Sequence, residues 1–315
     1  MSLRVIQPGL LSLLQDRGRF GMASMGLGTG GPMDPIAASL ANRLVQNDRD
    51  AVFIEASFGG LQVQAERDTQ IAITGATLAV TVDGADAPMW TTLSLREGQT
   101  LTLGYSSTGC RSYLSVRGGF AIEASFGSVS TVMREGIGGL DGGKLKEGDR
   151  LPAHPAPPVD ALWLPPRQRP AYHKRATVRV VQGYQFASFP RIEQRRFFAS
   201  EYAVSDRSDR MGYRLEGPPI ACNMQRMLSE GIAPGAIQVP ADGQPIVLLN
   251  DRQTIGGYPK LGAALSLDAA ALAQLRPGDS VHFAPISVET AHNAVHLARI
   301  FEAGRRLEAA PSQRR

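Results

Sequence analysis

The chain has 315 residues, 43% of them hydrophobic and 20% charged, a globular composition that excludes a disordered, collagen-like or low-complexity protein. At ~100 to 200 residues per domain, the length suggests two domains, each able to bury a core of its own. Thirty-three Lys and Arg against 29 Asp and Glu leave a net charge of +4, scattered apart from Arg305, Arg306, Arg314 and Arg315, too weak a bias to indicate nucleic-acid binding. Cys110 and Cys222 lack metal-type spacing and give neither a disulfide framework nor a zinc site, which suits a reducing compartment. No apolar run reaches about 18 residues and the N-terminus does not read as a signal peptide, so the expectation is a cytoplasmic chain with no membrane partner.

Along the chain, short alternating runs rich in β-branched residues come first: LRVI, AVFIEAS, LQVQAE, TQIAIT, LAVTV, TLTLG and RSYLSV. Turn pairs such as Asp83-Gly84 and Gly118-Gly119 punctuate them. Asp34-Pro35 offers an N-cap followed by proline at the first helical position for PIAASLANRLVQ. Between Pro152 and Pro170 the sequence packs seven prolines, which cannot donate to a ladder or continue a helix, and this predicts an extended connector at the domain boundary. The β pattern returns as TVRVVQ, EYAV, GAIQV, PIVLL and DSVHFAP. Asp268 is expected to cap AAALAQL, and a last helix to start after Ser287 with an acidic first and a basic last turn. The segments LREGQTL, LKEGDRL and LRPGDSV share one form, with glycine in a tight turn before a strand. The prediction is therefore a mainly β protein of two barrel or sandwich domains with few helices. The first spans residues 1–155 and the second 176–286, with a linker over 156–175 and a helix and tail over 287–315.

Gly26-Leu27-Gly28-Thr29-Gly30-Gly31 matches the dinucleotide fingerprint formally, but no βαβ pattern surrounds it. Its remaining functional reading is a glycine segment that offers N–H groups to an anion at the start of a helix; the alternative is a plain turn. His292 and His296 are four apart on the last helix without a third ligand, and no GxSxG elbow or Walker loop occurs. Asp16, Asn42 and Glu55 stand in or beside apolar segments, where capping or satisfied burial accounts for them. The informative stretch is 205–260. There Arg210, Arg214, Arg252 and Lys260 supply cations, Asp209, Glu230 and Asp251 carboxylates, and Gln238 and Gln253 amides. Alternation in AIQVP puts Gln238 opposite Ile237 and Val239. PIVLL reads as a strand buried on both faces that delivers Asp251, Arg252 and Gln253 at its exit, a rigid mounting for a site. Gly256-Gly257 permits close backbone approach beside Tyr258, and Lys260 offers a point charge to an anion. The structural alternative is that these charges pair with one another at a barrel rim.

The strings PGLLSLLQDRGR, GPMDPIAASLANRLV, IEASFGG, ITGA, SDRMGYRLEG, SEGIAPGAIQVPADGQPIVLLNDRQTIGGYPK and LRPGD, in this order, resemble the biotin-dependent carboxyltransferase family that includes allophanate hydrolase subunit 2 and the 5-oxoprolinase C subunit. The resemblance runs from about residue 3 to about residue 290. It implies tandem cyclophilin-like β-barrels and work with a companion B subunit, of the allophanate hydrolase subunit 1 type, and a third hydrolase subunit. The activity implied is ATP-dependent opening of 5-oxoproline to glutamate, with ATP and Mg shared with the partner. A small acidic substrate would meet Arg210, Glu230, Asp251 and Lys260 as catalytic groups. Arg214, Gln238, Gln253, Gly256, Gly257 and Tyr258 would bind it. Alternatives within the family are a carboxyltransferase of the urea carboxylase type, with biotin on a separate carrier, and a regulatory antagonist that binds a kinase-inhibitor-like partner. Gly30, Val129 and Ile255 depart from the family pattern, where serine, arginine and threonine are expected.

Overall fold

The computed structural model describes residues 2–224 and 227–311, so the last four residues of the expected tail, Arg314 and Arg315 among them, lie outside the described residues. The chain divides into two compact units, one formed by residues 1–19, 30–171 and 305–315, the other by 20–29 and 172–304.

The first unit opens with strands β1 (Leu3–Pro8) and β2 (Leu11–Gln15) and helix α1 (Pro35–Leu44). Strands β3 (Phe53–Ser57), β4 (Leu61–Ala65), β5 (Thr69–Val82), β6 (Ala85–Asp86), β7 (Thr92–Leu95), β8 (Thr100–Val116), β9 (Arg150–Leu151) and β10 (Leu162–Trp163) follow. Nine of these strands form one sheet, ordered β2-β3-β8-β4-β1-β9 with β5, β6 and β7 attached through β8, a half-barrel whose ladder has two ends. Leu3, Val63, Ile71, Ile73, Leu101, Leu114 and Val116 fill its core. The runs TQIAIT and LAVTV, separate in the sequence pattern, are one 14-residue strand here, and TLTLG and RSYLSV are one strand of 17. Gly75 makes the continuity possible. At φ +91° it lies where a Cβ would stand 2.4 Å from the Arg111 carbonyl, beside register shifts in the β5–β8 ladder. In α1 the Asp34 carboxylate accepts from the Ala37 N–H at 3.1 Å and Pro35 sits in the first turn, as the capping pattern predicts.

The proline-rich segment is no free connector, since as far as Ala171 it belongs to the first unit. Gln70 holds Val159 through both amide atoms at 2.8 Å, and Thr92 bonds Leu162.

The second unit contains β11 (Arg175–Gln182), α2 (Arg191–Ala199), β12 (Glu201–Val204), β13 (Gly212–Glu216), β14 (Glu230–Gly231), β15 (Ala236–Gln238) and β16 (Ile246–Leu248). It continues with β17 (Ile255–Gly256), β18 (Lys260–Ala264), α3 (Ser266–Leu272), β19 (Ser280–Pro285) and α4 (Val288–Gly304). Seven strands close a barrel in the order β11-β18-β15-β16-β13-β12-β19, while β14 and β17 make a separate hairpin-like pair. Helix α2, which the sequence pattern did not reveal, stacks Phe197 on Phe283 at 4.4 Å between ring centroids. In α3, Asp268 lies inside the first turn rather than at the cap, which Leu265 occupies. Its carboxylate instead grips the Arg179 guanidinium at 2.7 and 2.8 Å. The chain then returns to the first unit, where β20 (Glu308–Ala309) pairs antiparallel with β10. Among the described residues no helix is long and apolar enough to cross a membrane.

Candidate functional site

The polar groups of the 205–260 stretch divide between two places in the second unit. Arg210 and Asp251 form a bidentate ion pair, Nε to Oδ2 at 2.8 Å and Nη2 to Oδ1 at 2.9 Å, with both side chains under a tenth exposed. The Asp251 N–H also donates to the Arg210 carbonyl at 3.0 Å, so the turn after β16 is clamped to the turn before β13. β16 is buried on both faces, as the apolar run predicts. Its exit, however, carries a fastening and not an open mouth. Arg252 likewise serves backbone, its guanidinium donating to the carbonyls of Ile232 and Leu249 at 3.2 Å, and burial pulls its pKa down.

The converging groups lie one row along. In the ladder Gln238 is opposite Ile246 on one side and Lys260 on the other, and Ile246 is opposite Arg214. Directly opposed residues share a face, so these side chains belong to the face that carries exposed Arg214, opposite to Tyr213 and Leu215. Over β15 and β16 that face is covered by an apolar cluster of Ile232, Ala236, Ile246 and Leu248. This is why Gln238 is only 1% exposed, and its Nε2 has no hydrogen-bond partner among the described residues. Lys260 is ion-paired with Glu230, which the β14–β17 register places opposite Gly256. A Cβ on Gly256 would stand 3.0 Å from Gln238 Nε2 and 3.6 Å from Gln253 Nε2, so glycine leaves the two amides a common space.

Two residues not foreseen from sequence complete the group. Tyr184 donates its hydroxyl to Glu230, and Gln185 Nε2 donates to Glu230 Oε1 at 2.6 Å while its Oε1 accepts the Lys260 N–H at 2.7 Å. The only available signal was a buried-type amide after Gly183 at the exit of β11. Hydrogen bonds from Lys260 first and Tyr184 second hold the Glu230 carboxyl below its ordinary range. The same hydrogen bond to Glu230 raises the Tyr184 phenol. Gly257 and Tyr258 face a neighbouring hollow of about 390 Å³ shared with Met224, Met227, Val239 and Pro240. The structure thus brings together Glu230, Lys260, Gln238, Gln253 and Gly256. It places Arg214 exposed on the same row and commits Arg210 and Asp251 to each other. The arrangement offers an ammonium, an ionised carboxylate and an unsatisfied amide donor, a set suited to a polar carbonyl or carboxylate compound.

The glycine segment, residues 26–29 of the second unit and 30–31 of the first, reads as a turn rather than an anion cradle, because the Gly26 and Leu27 N–H groups go to the Ala23 and Met22 carbonyls and donors next to it are also used. The Gly31 N–H goes to Gln15 Oε1, the Met33 N–H to Glu55 Oε2 and the Asp34 N–H to Tyr113, each within 2.9 Å. Gly30, at φ +62°, packs where a Cβ would meet the Ser130 Cβ at 2.8 Å, which explains glycine in place of serine. Val129 is buried in the apolar core, a place for no ionic contact, whereas Ile255 is exposed. Asp16, Asn42 and Glu55 are satisfied polar groups: Asp16 accepts from Ser128, Ser130, Val129 and Gly18, and Asn42 is held by Ala51 and Ser115.

The chain as a whole is similar to known proteins. The C subunit of 5-oxoprolinase from Escherichia coli (strain K12) is 39% identical over 93% of this chain and 94% of its own length, and that of Haemophilus influenzae 34% over 91% and 94%. The urea amidolyase of Saccharomyces cerevisiae is 30% identical over 93% of this chain, which spans 17% of that protein. A crystal structure of K. lactis urea amidolyase superposes with a TM-score of 0.91 at 26% identity, covering 99% of this chain and 20% of the other. The family model for the carboxyltransferase domain, subdomain A and B, matches residues 25–285, and to that family this chain belongs.

Proposed function

We propose that the chain is the C subunit of an ATP-dependent 5-oxoprolinase. It would open the lactam of 5-oxoproline to glutamate in the cytoplasm, with a companion B subunit of the allophanate hydrolase subunit 1 type and a third hydrolase subunit. The observation that carries this reading is the buried Gln238 Nε2, without a hydrogen-bond partner among the described residues, beside the Lys260–Glu230–Tyr184 group. An amide buried without a partner costs roughly 1–3 kcal/mol, and an oxygen-bearing ligand relieves that cost. 5-Oxoproline carries both a ring carbonyl and a carboxylate. The Gln238 N–H suits either oxygen, and the Lys260 ammonium stabilises charge developing on the carbonyl. Glu230, held ionised near neutral pH, fixes the ammonium and can orient a water. The relatives matched over nearly their whole length are named as C subunits of 5-oxoprolinase, and Cys110 and Cys222 are both free thiols, consistent with a reducing compartment.

Asp251 is committed to Arg210 and Glu230 to Lys260, and no group of three or more His, Cys, Asp or Glu able to hold a metal ion occurs among the described residues. In this reading ATP and magnesium sit where the companion protein contributes, and no step here is assigned to them. Mixing the purified chain with its companion proteins should release ADP only when 5-oxoproline is present; release indifferent to 5-oxoproline overturns the assignment.

The superposition on urea amidolyase favours a second reading, transfer of a carboxyl group to or from biotin on a separate carrier. Avidin separates the two. It should abolish carboxyl transfer and leave lactam-dependent ADP release untouched.

A further inference from the structure

We propose that the first unit carries an anion site of its own, shaped for a phosphorylated small molecule and built on residues that the reading above does not use. The start of β5, the end of β7 and the proline-rich segment border a cleft of about 510 Å³, lined by Arg67, Arg96, Arg117 and His154, with exposed Ser94 in its wall. That volume is in the range of small-molecule sites.

What sets Arg67 and Arg117 apart is how they are held, while Arg96 is exposed beside them. Arg67 Nη2 donates to the Ala153 carbonyl at 3.2 Å, and Arg117 donates from Nε to Pro157 at 2.9 Å and from Nη1 to Val45 and Gln46 at 3.1 and 2.6 Å. Carbonyls fix a guanidinium without cancelling its charge. Elsewhere in the chain, Arg179 and Arg210 are neutralised by Asp268 and Asp251. In the cleft none of the three guanidiniums has a carboxylate partner among the described residues. The one acidic neighbour, Asp68, turns an oxygen to the Glu97 N–H at 2.8 Å.

The wall is rigid. The Ala121 N–H donates to the Pro152 carbonyl at 2.8 Å and the His154 N–H to the Gly119 carbonyl at 3.1 Å. Gly118, at φ +90°, lies where a Cβ would stand 2.4 Å from the His154 carbonyl, so turn and segment are in direct contact. Pro155 and Pro158 add stiffness. The fixed guanidinium forks of Arg67 and Arg117 match phosphate oxygens, exposed Arg96 adds a third cation, and fixing the forks in advance reduces the entropy lost on binding.

Calorimetric titration of the full chain with inorganic tripolyphosphate at low ionic strength tests this. Saturable binding is expected. Arg96→Ala should weaken it about tenfold, the usual size of one charge-assisted contact. Ser94→Glu, which puts a negative charge at an exposed position in the wall, should abolish it. Arg207→Ala, on the other unit, should leave it unchanged, and circular dichroism should show each variant folded. No saturable heat, binding indifferent to Arg96→Ala and Ser94→Glu, or citrate bound as tightly as tripolyphosphate would each overturn the phosphate site. Because the 5-oxoproline assay depends on other residues, either proposal can fail alone.

Discussion

Gln238 and Asp16 are both polar residues in β-rich surroundings, and their hydrogen bonds assign them opposite roles. The Gln238 Nε2 has no hydrogen-bond partner among the described residues, so Gln238→Met should hold or raise the melting temperature while raising the KM for 5-oxoproline about tenfold. A lowered melting temperature with unchanged KM would show the amide to be structural. Burial pushes the Asp16 pKa upward, but hydrogen bonds from Ser128, Ser130, Val129 and Gly18 outweigh it and hold the carboxyl below its ordinary value. With the folded pKa below the unfolded one, about 3.9, the stabilisation is complete above the unfolded value and is lost as pH falls through the folded one. Urea melts between pH 5 and pH 2 should therefore show a loss of stability that Asp16→Asn diminishes. Lys260 lowers the Glu230 pKa through their hydrogen bond. Lys260→Met should thus move the acid limb of the activity–pH profile upward, and an unmoved limb would detach Glu230 from turnover.

Secondary-structure elements are fastened here by short polar devices, some legible in sequence and some not. The LREGQTL, LKEGDRL and LRPGDSV echo is a real structural repeat. In each, glycine takes φ near +85° (Gly98, Gly148, Gly278), and the residue after it accepts a backbone N–H three positions back at 2.7–2.9 Å. The glycine N–H then bonds a strand carbonyl, Ala65, Val5 or Val204. That pattern could be read locally because the turn is made by adjacent residues. The Arg210–Asp251 clamp could not, since its partners are 41 residues apart and only the barrel brings them together. Breaking a buried ion pair leaves an uncompensated charge, so Asp251→Ala should cost about 3–5 kcal/mol in denaturant melts. A loss below about 1 kcal/mol would show that Arg210 finds another partner or reaches water.

At the scale of the whole molecule, each unit buries apolar residues of its own, Leu3, Val63 and Ile73 in the first and Val178, Leu215, Val247 and Phe283 in the second, and calorimetry should resolve two transitions. Asp251→Ala should lower only the one belonging to the second unit, and acidification with Asp16→Asn should alter only the other; a single transition shifted by both would show the units to unfold as one.

Strand content, the first helix, the start and acidic first turn of the last one, the buried character of PIVLL and the facing of Gln238 were determined by sequence, because periodicity, caps and glycine turns act between near neighbours; the last helix ends at Gly304 without the basic last turn expected of it. Tertiary structure alone decided which polar groups meet. Candidates spread over 50 residues could equally have formed a mouth or a rim, and charge type does not say which cation finds which carboxylate. Barrel closure sets the β15–β18 register that puts Gln238 against Lys260, and the β14–β17 pairing brings Glu230 over them. The same closure commits Arg210 and Asp251 to each other. Tyr184 and Gln185 join Glu230 from the end of β11, some 45 residues away in sequence, a contact that closing the barrel creates and no local pattern encodes.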